Sequence, residues 1–262
     1  MIDLTGRTGV PVPEEVLAEL SESCRVLDLE FLVVGAAARD LVIHALQDTD
    51  PVRATEDVDI AVAVHGREQF TTLTGRLSRK GNAEHTFVVL GVDVDVVPFG
   101  GIERDREVRF ADDHLLDVTG LQEAHSTSTL VRMPQGTEVR VATASAQTAL
   151  KILAWRDRHH DNPKDGLDLG IILAAMSSDP FVDEVWEDDE ALDATDADIF
   201  AAASFHYARI AAEAFTPADG KAVGDVLNDP VQRQKLLRHM RNSLAPDLID
   251  AYRSGSLVGL DR

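Results

Sequence analysis

Hydrophobic and polar positions alternate with a period of two in the first half of the chain, which predicts β-strands. The clearest case is residues 57–64, where Val58, Ile60, Val62 and Val64 alternate with two aspartates and two alanines. Such alternation is typical of a strand that buries one face. Shorter apolar runs predict further strands at residues 30–34, 86–90, 92–97 and 138–141, with Gly91 at a hairpin or bulge.

Apolar residues recur at intervals of three and four elsewhere, which predicts helices. In the first half these helices are expected at residues 16–27, 36–47 and 67–79. After Ala142 the pattern is helical almost throughout, with helices predicted at residues 144–158, 167–176, 196–214, 217–227 and 231–243. We therefore predict an α+β fold with two domains, a small mixed sheet with flanking helices over residues 1–143 and a mainly α-helical domain over residues 144–262.

Carboxylates interrupt two of the predicted strands. Asp57 and Asp59 share one face of their strand, and Asp93 and Asp95 share one face of residues 92–97. Acids are poor strand formers, so folding alone gives little reason to place them within valine-rich runs. Carboxylate and phosphate oxygens are the ligands that Mg²⁺ prefers. We predict that Asp57, Asp59 and a third acid are catalytic metal ligands, and we choose Asp95 over the shallower Asp93 as that third acid. The alternative is an edge strand with a solvated face.

Gly35 follows a predicted strand and begins a predicted helix, a pattern that favours phosphate binding. Glycine lets the backbone approach a phosphate, and the free amides at a helix start attract anions. Gly35 and Ala36 are therefore candidate nucleotide contacts. Arg39 and Arg53 could meet a triphosphate tail, or they could be surface arginines or partners of the acidic residues.

The charge balance limits the partners that the protein can bind. The 262 residues carry a formal net charge of −21, from 25 basic and 46 acidic residues. This field repels nucleic acid and anionic membranes unless a local basic patch offsets it. Residues 179–198 contain many acids and no Lys or Arg, which predicts a solvated acidic face or linker. One cysteine, no signal peptide and no long apolar run together indicate a cytoplasmic protein without a membrane partner.

The order of these motifs resembles that of the polymerase-β-type nucleotidyltransferase superfamily. A strand, Gly35-Ala36 and a helix precede Arg53-Ala-Thr55-Glu-Asp57-Val-Asp59, and a single aspartate follows on a later strand. The second half is similar to the AbiEii/MenT group of nucleotidyltransferase-like toxins. That similarity is carried by the segments Ala149-Leu-Lys151-Ile-Leu-Ala-Trp-Arg156-Asp-Arg158 and Lys164-Asp165-Gly-Leu-Asp168-Leu, so the resemblance spans roughly residues 30 to 175.

The resemblance implies a metal-dependent enzyme that binds a nucleoside triphosphate through Gly35, Ala36, Arg39, Arg53 and Thr55. It further implies that Lys151 handles the nucleotide and that Asp168 or Asp165 is an important acid. The chain departs from the superfamily at Ala36, where serine or a second glycine is usual. Alanine offers a phosphate only its backbone amide.

The reaction expected from these residues moves a nucleoside monophosphate to an acceptor hydroxyl and releases pyrophosphate. Two Mg²⁺ ions, for which Mn²⁺ could substitute, would be held by Asp57 and Asp59, with Asp95 sharing one of them. By resemblance the acceptor is a transfer RNA 3′ end or a protein hydroxyl, the outcome is growth arrest, and an antitoxin protein is a possible partner. An RNA acceptor would need a basic rim, for which the candidates are Arg104, Arg106, Arg109, Arg132, Arg140, Arg156 and Arg158.

Two other functions fit the same residues. The acidic balance suits nucleotidyl transfer to a small cationic molecule, such as an aminoglycoside, better than transfer to RNA. The protein could instead have no enzymatic activity. It would then be a binding protein with a retired active site that acts through its acidic surface. The intact acids Asp57, Asp59 and Asp95 argue against this last possibility.

Overall fold

The computed structural model describes residues 1–51, 57–110 and 114–262. The fold is α+β, with a large mixed sheet and many helices, so the predicted class is confirmed at this level. The chain divides into two compact units, Met1–Thr143 and Ala144–Arg262. Across the described residues, no helix combines the length and the apolar composition needed to cross a membrane.

The first unit contains all the strands among the described residues. The strands are β1 (Ile2–Asp3), β2 (Phe31–Val34), β3 (Asp57–Val64), β4 (Ser78–Arg79), β5 (Thr86–Val89), β6 (Val92–Gly100), β7 (Glu107–Arg109), β8 (Leu115–Asp117), β9 (Thr129–Arg132) and β10 (Glu138–Val141). The helices of this unit are α1 (Glu14–Arg25), α2 (Gly35–Arg39), a π-helical turn (Asp40–His44), α3 (Ala45–Gln47), α4 (Arg67–Thr74) and α5 (Leu121–Ser126).

The main sheet is larger than the small sheet that the sequence predicted. Eight of the described strands form it, in the order β1-β9-β10-β2-β3-β6-β5-β4, while β7 pairs with β8 separately. The unpredicted strands β1, β4 and β9 have only two to four residues, too few for an alternating pattern to be recognised. The predicted helix 67–79 is wrong at its end, because the helix stops at Thr74 before Gly75, a poor helix former.

Strands β2, β3 and β6 lie side by side in the sheet, and their apolar residues contribute to its core. All four residues of β2 are buried, as are Val58, Ile60, Val62 and Val64 of β3. Strand β3 runs antiparallel to β2 and parallel to β6. Strand β3 is therefore an interior strand of the sheet, so the edge position in the alternative interpretation is wrong. Its acidic face is partly solvated, with Asp57 exposed and Asp59 half-buried.

The predicted hairpin around Gly91 is confirmed. Strands β5 and β6 are antiparallel and are joined by Leu90 and Gly91, whose φ values are 51° and 85°. Positive φ at both residues is typical of the two-residue turns that match the twist of paired strands. The turn sets the register in which Thr86 lies opposite Asp95.

The second unit is built from helices. These are α6 (Ala144–Arg158), α7 (Lys164–Ala175), α8 (Val182–Trp186), α9 (Asp189–Ala194), α10 (Ile199–Glu213), α11 (Pro217–Asn228), α12 (Pro230–Met240) and α13 (Ala245–Leu260). The predicted helices correspond to α6, α7, α10, α11 and α12, whereas α8, α9 and α13 were missed. The acidic segment 179–198 is not a simple linker, because it forms α8 and α9 and Asp188 binds His206 and Arg209 within this unit.

Helix α12 is held against α6 and α7 by a small aromatic cluster. The fully buried Trp155 donates from Nε1 to Nδ1 of His239 over 2.9 Å, and the ring of His159 stacks on Trp155 at a centroid distance of 4.2 Å. Gly166 of α7 permits this approach, since a Cβ there would lie 2.7 Å from the Cβ of His239. Because His239 accepts at Nδ1, its imidazole must be neutral in this arrangement.

The neutral form of His239 makes the helical unit sensitive to acid. Burial lowers the pKa of His239 below its ordinary value, and the nearby His159, Arg238, Arg241 and Lys235 lower it further. The unfolded chain then binds more protons than the folded chain, so the free energy of unfolding decreases as pH falls through about 6.5. We expect urea unfolding followed by tryptophan fluorescence to show this decrease between pH 7.5 and 5.5.

The matched variant His239→Gln keeps an acceptor for Trp155 but cannot be protonated in this range. Its stability should depend less steeply on pH than that of the wild type. Equal slopes for the two proteins would show that His239 does not carry the effect.

Candidate functional site

Four aspartates gather on one face of the main sheet. In the parallel pairing of β3 with β6, Asp57 lies beside Asp93 and Asp59 lies beside Asp95. Paired positions on neighbouring strands share a face, and residues two apart on one strand do too. The structure therefore places Asp57, Asp59 and Asp95 on the same side, with the Asp59 and Asp95 strands only about 4.8 Å apart.

Asp95 and Asp93 differ in what surrounds them. Asp93 makes an ion pair with Lys80, both side chains being partly exposed. Asp95 is half-buried, and its Oδ1 has no solvent contact and no hydrogen-bond partner among the described residues. A buried carboxylate oxygen without a partner costs roughly 1–3 kcal/mol or more, since it has lost its water. Of the two acids, Asp95 is thus the one whose buried oxygen lacks a compensating partner among the described residues.

Gly35 lies directly against the carboxylate of Asp59. Its φ is 68°, and a Cβ added at this position would lie 2.0 Å from Oδ2 of Asp59. Both facts require glycine, because an L side chain is strained at this φ and has no room here. The backbone at the start of α2 therefore approaches a carboxylate, where the sequence alone had suggested an approach to a phosphate.

The described residues do not form a closed metal site. Among them, no group of three or more His, Cys, Asp or Glu side chains has an arrangement that could hold a metal ion. Mg²⁺ does not require such a group, because it usually keeps several waters and binds one or two carboxylates together with substrate phosphates. The pair Asp59 and Asp95 fits that mode, since Oδ1 of Asp95 is unsatisfied and the carboxylates are neighbours. Asp57 is exposed at the start of β3.

Thr86 is a neighbour of this site that the sequence analysis missed. It pairs with Asp95 across the hairpin, so its hydroxyl lies on the face of the aspartates, and the residue is half-buried. Counting outward from Leu90 and Gly91 as the turn would have paired residue 86 with residue 95 from the sequence alone.

The expected phosphate contacts have different positions. Ala36 is buried at the start of α2, next to Gly35. Arg39 has no exposed surface, and its guanidinium donates to Oδ1 of Asp40 from Nε at 2.9 Å and from a terminal nitrogen at 2.6 Å. Arg39 is thus part of the interior of its unit in this structure. Arg53 and Thr55 lie outside the described residues.

Lys151 is not a solvated surface residue. It is buried in an ionic cluster with Asp165 and Asp168. Its Nζ lies 2.7 Å from Oδ2 of Asp168 and 3.1 Å from Oδ1 of Asp165, and all three residues are at most 6 % exposed. Arg158 makes two hydrogen bonds to Asp165, of 2.6 and 2.9 Å. Burial raises the pKa of Asp165, but the hydrogen bonds from Arg158 and the charge of Lys151 outweigh it and bring that pKa below its ordinary value.

The arginines predicted to form a basic rim are largely compensated by acids. Among the residues that the structure describes, at least five of the seven make ion pairs, and the carboxylate beside each of these arginines opposes the positive potential that a phosphate would meet. The pairs are Arg106 with Glu103 and Glu123, Arg132 with Asp3 and Glu138, Arg140 with Glu30, Arg156 with Asp157, and Arg158 with Asp165.

Comparison with models of known protein families gave no match, and comparison with curated proteins gave none either. The resemblance drawn from the motifs therefore stays a prediction, and the function has to be argued from the site.

Substitution Gly35→Ala tests the contact between Gly35 and Asp59. The matched control is Gly81→Ala, because Gly81 has a similar φ of 64° but nothing within 4 Å of an added Cβ. Backbone strain should cost both variants about 1–2 kcal/mol in the free energy of unfolding, measured by urea unfolding with far-UV circular dichroism. Gly35→Ala should lose more than Gly81→Ala, since it also displaces the Asp59 carboxylate. Equal losses would contradict the close contact.

Substitution Lys151→Met tests whether the ionic cluster holds the helical unit together. Removing one partner of a buried ion pair should lower the free energy of unfolding by about 3–5 kcal/mol, read from tryptophan fluorescence in urea. The exposed Lys164→Met is the control and should change it by less than about 0.5 kcal/mol. The double variant Lys151→Met/Asp168→Asn should recover part of the loss, because the uncompensated charge is gone. A stable Lys151→Met protein would show that the cluster contributes little.

Proposed function

We propose that the protein is a metal-dependent nucleotidyltransferase whose catalytic centre is the aspartate face of β3 and β6. The observation that carries the proposal is the buried, unsatisfied Oδ1 of Asp95 beside Asp59. Folding alone pays a penalty for this arrangement, whereas a divalent cation would turn the same oxygens into ligands. The motif order described above supports nucleotides as the substrate class.

In this proposal the protein side chains position the reacting groups. Asp59 and Asp95 would hold the cation, and Asp57, which is exposed at the start of β3, would be a further ligand on the open side of the site. An oxygen of the acceptor hydroxyl attacks the α-phosphorus, the bond to the bridging oxygen of the β-phosphate breaks, and pyrophosphate leaves while the hydroxyl proton passes to solvent or a carboxylate. Bound Mg²⁺ supplies neutralisation of the phosphate charge and a lower pKa for the acceptor hydroxyl.

The residues that the sequence predicted to contact the triphosphate have different roles in this proposal. Gly35 contributes by fixing the carboxylate of Asp59, whether or not its amide also meets a phosphate. Arg39 is left out because its guanidinium is buried against Asp40. By resemblance Lys151 and Asp168 handle the nucleotide, and the buried ion pair gives them a structural task in addition.

Two kinds of acceptor are compatible with this proposal, an RNA and a small cationic molecule. Resemblance favours a transfer RNA and a toxin that stops growth. The net charge of −21 and the compensated arginines favour a cationic small molecule such as an aminoglycoside. Both acceptors use the same donor chemistry, so the donor reaction is the first one to test.

Incubation with labelled nucleoside triphosphates, Mg²⁺ and a total cell extract tests the proposal. The wild type should transfer label to an acceptor, and Asp95→Asn should reduce transfer by about 10²–10³-fold, as expected when a preorganised electrostatic contact in a catalytic site is lost. Asp93→Asn is the matched control, since Asp93 lies on the same face of the same strand but is paired with Lys80. It should stay within a few-fold of the wild type.

Two results would contradict this function. Full activity in Asp95→Asn would remove Asp95 from the centre. Absence of transfer, together with calorimetry that shows no binding of Mg²⁺ or of any nucleoside triphosphate, would favour a binding protein with a retired site.

A further inference from the structure

Helix α12 and the residues that follow it carry positive charge without any acid. Between Asp229 and Asp247 the chain has Arg233, Lys235 and Arg238 in the helix, Arg241 after it, and no Asp or Glu. In a protein with nearly twice as many acidic as basic residues, such a stretch is uncommon by chance. Its composition is opposite to that of residues 179–198, which contain no Lys or Arg.

Three of these four cations have no ion-pair partner in the parts of the chain that the structure describes. Arg233 is compensated by Asp250 at 3.0 Å. Lys235, Arg238 and Arg241 make no ion pair, and the only hydrogen bond described for their side chains runs from Nε of Arg238 to the carbonyl of Gln234. Asp229 attracts Lys235 only from a longer distance, while its carboxylate accepts from the amides of Val231 and Gln232 at the start of α12.

The three cations share one face of the helix and its end. Residues three apart are neighbours on a helix surface, and Lys235, Arg238 and Arg241 follow one another at that interval. Arg238 and Arg241 are exposed and Lys235 is half-exposed. The opposite side of the helix is fixed in the unit by the buried Leu236 and Met240. We call Lys235, Arg238 and Arg241 the α12 cationic face.

Helix stabilisation explains only part of this arrangement. Cations at the end of a helix interact favourably with the helix dipole, and this accounts for Arg238 and Arg241. It does not account for Lys235, which lies earlier in the helix. Helix stabilisation also does not explain why the three cations lie beside His239. The pKa of His239 is lowered by burial and by these same cations. Cations held together in this way repel one another until an anion binds.

We propose that the α12 cationic face binds the phosphate backbone of a polynucleotide. Regularly spaced phosphates neutralise several clustered cations at once and release the counterions of the nucleic acid. An anionic membrane fits less well, because a helix that inserts into a membrane needs a continuous exposed apolar face. In α12 the large apolar residues Leu236 and Met240 are buried, and Val231 at its start is the one that is strongly exposed. The net charge of −21 does not prevent local binding, since exposed charges are screened beyond about 10 Å at 0.1 M salt. The proposal does not depend on nucleotidyl transfer.

Fluorescence anisotropy with end-labelled 20-nucleotide RNA and DNA strands, and with a DNA duplex, tests this surface on the full chain. The wild type should bind in the micromolar range or weaker at 50 mM salt. Its affinity should fall with salt with a log–log slope of about 2 for single strands, as expected for three phosphate contacts. The variant Lys235→Ala/Arg238→Ala/Arg241→Ala should bind at least tenfold more weakly, with a slope near zero.

Lys221→Ala is the matched control, because Lys221 is exposed but paired with Asp225. It should bind like the wild type, and circular dichroism and thermal unfolding should show that the triple variant is folded. Three outcomes would overturn the proposal. These are no binding to any polynucleotide at 50 mM salt, equal binding by the folded triple variant and the wild type, and binding to vesicles of anionic lipid without binding to polynucleotides. If the triple variant unfolds, the single variants Arg238→Ala and Arg241→Ala, each expected to lower the salt slope by about 0.7, replace it.

Discussion

The parallel pairing of β3 with β6 is the constraint on which the candidate site depends. It sets Asp59 beside Asp95 and Asp57 beside Asp93, so that two like-charged pairs face each other across neighbouring strands. Like charges directly opposite each other weaken a sheet. The pairing is nevertheless kept, because three valines and one isoleucine on the other face of β3 are buried. A shift by one residue would bring that apolar set to the side of the carboxylates. The apolar core therefore fixes the acids in place.

The structure compensates its buried acids in different ways. Asp168 and Asp165 meet Lys151 and Arg158, so the charges in this cluster balance, and Asp40 meets the buried Arg39. Asp95 differs from these, because its buried Oδ1 has no partner and its carboxylate makes no ion pair within the described part of the chain. Glu123 also leaves one buried oxygen, Oε2, without a partner, but its other oxygen binds Arg106 at 2.6 Å. A chain that pairs acids elsewhere but leaves this oxygen unsatisfied, next to a second carboxylate, has the composition of a cation site. This contrast is a stronger reason for the functional proposal than the acidic motif by itself.

The strongly periodic elements could be predicted from the sequence, and the contacts between distant residues could not. Strand β3 and helix α6 have the predicted bounds, because alternation and helical spacing persist in each over eight or more residues. The face shared by Asp57 and Asp59 follows from the same period. The short strands β1 and β4, the ion pair of Lys80 with Asp93, and the burial of Lys151 depend on tertiary packing. The sequence left Arg39 open between a phosphate contact, a surface arginine and a partner of acidic residues, and no local pattern shows that the next residue, Asp40, is one of its partners.

The charge of the protein is better understood by region than as a total. A net charge of −21 predicts repulsion from polyanions, and the arginines scattered through the sequence do not reverse it, because most of them lie within 4 Å of a carboxylate. A binding partner experiences the charge of the surface residues that are not paired within the protein. It experiences this charge only over distances shorter than the screening length. When only unpaired local charge is considered, the α12 cationic face is a positive surface in an acidic protein. The aspartate face of β3 and β6 is a negative surface. Each has the sign that its proposed ligand requires, a polynucleotide backbone for the first and a divalent cation for the second.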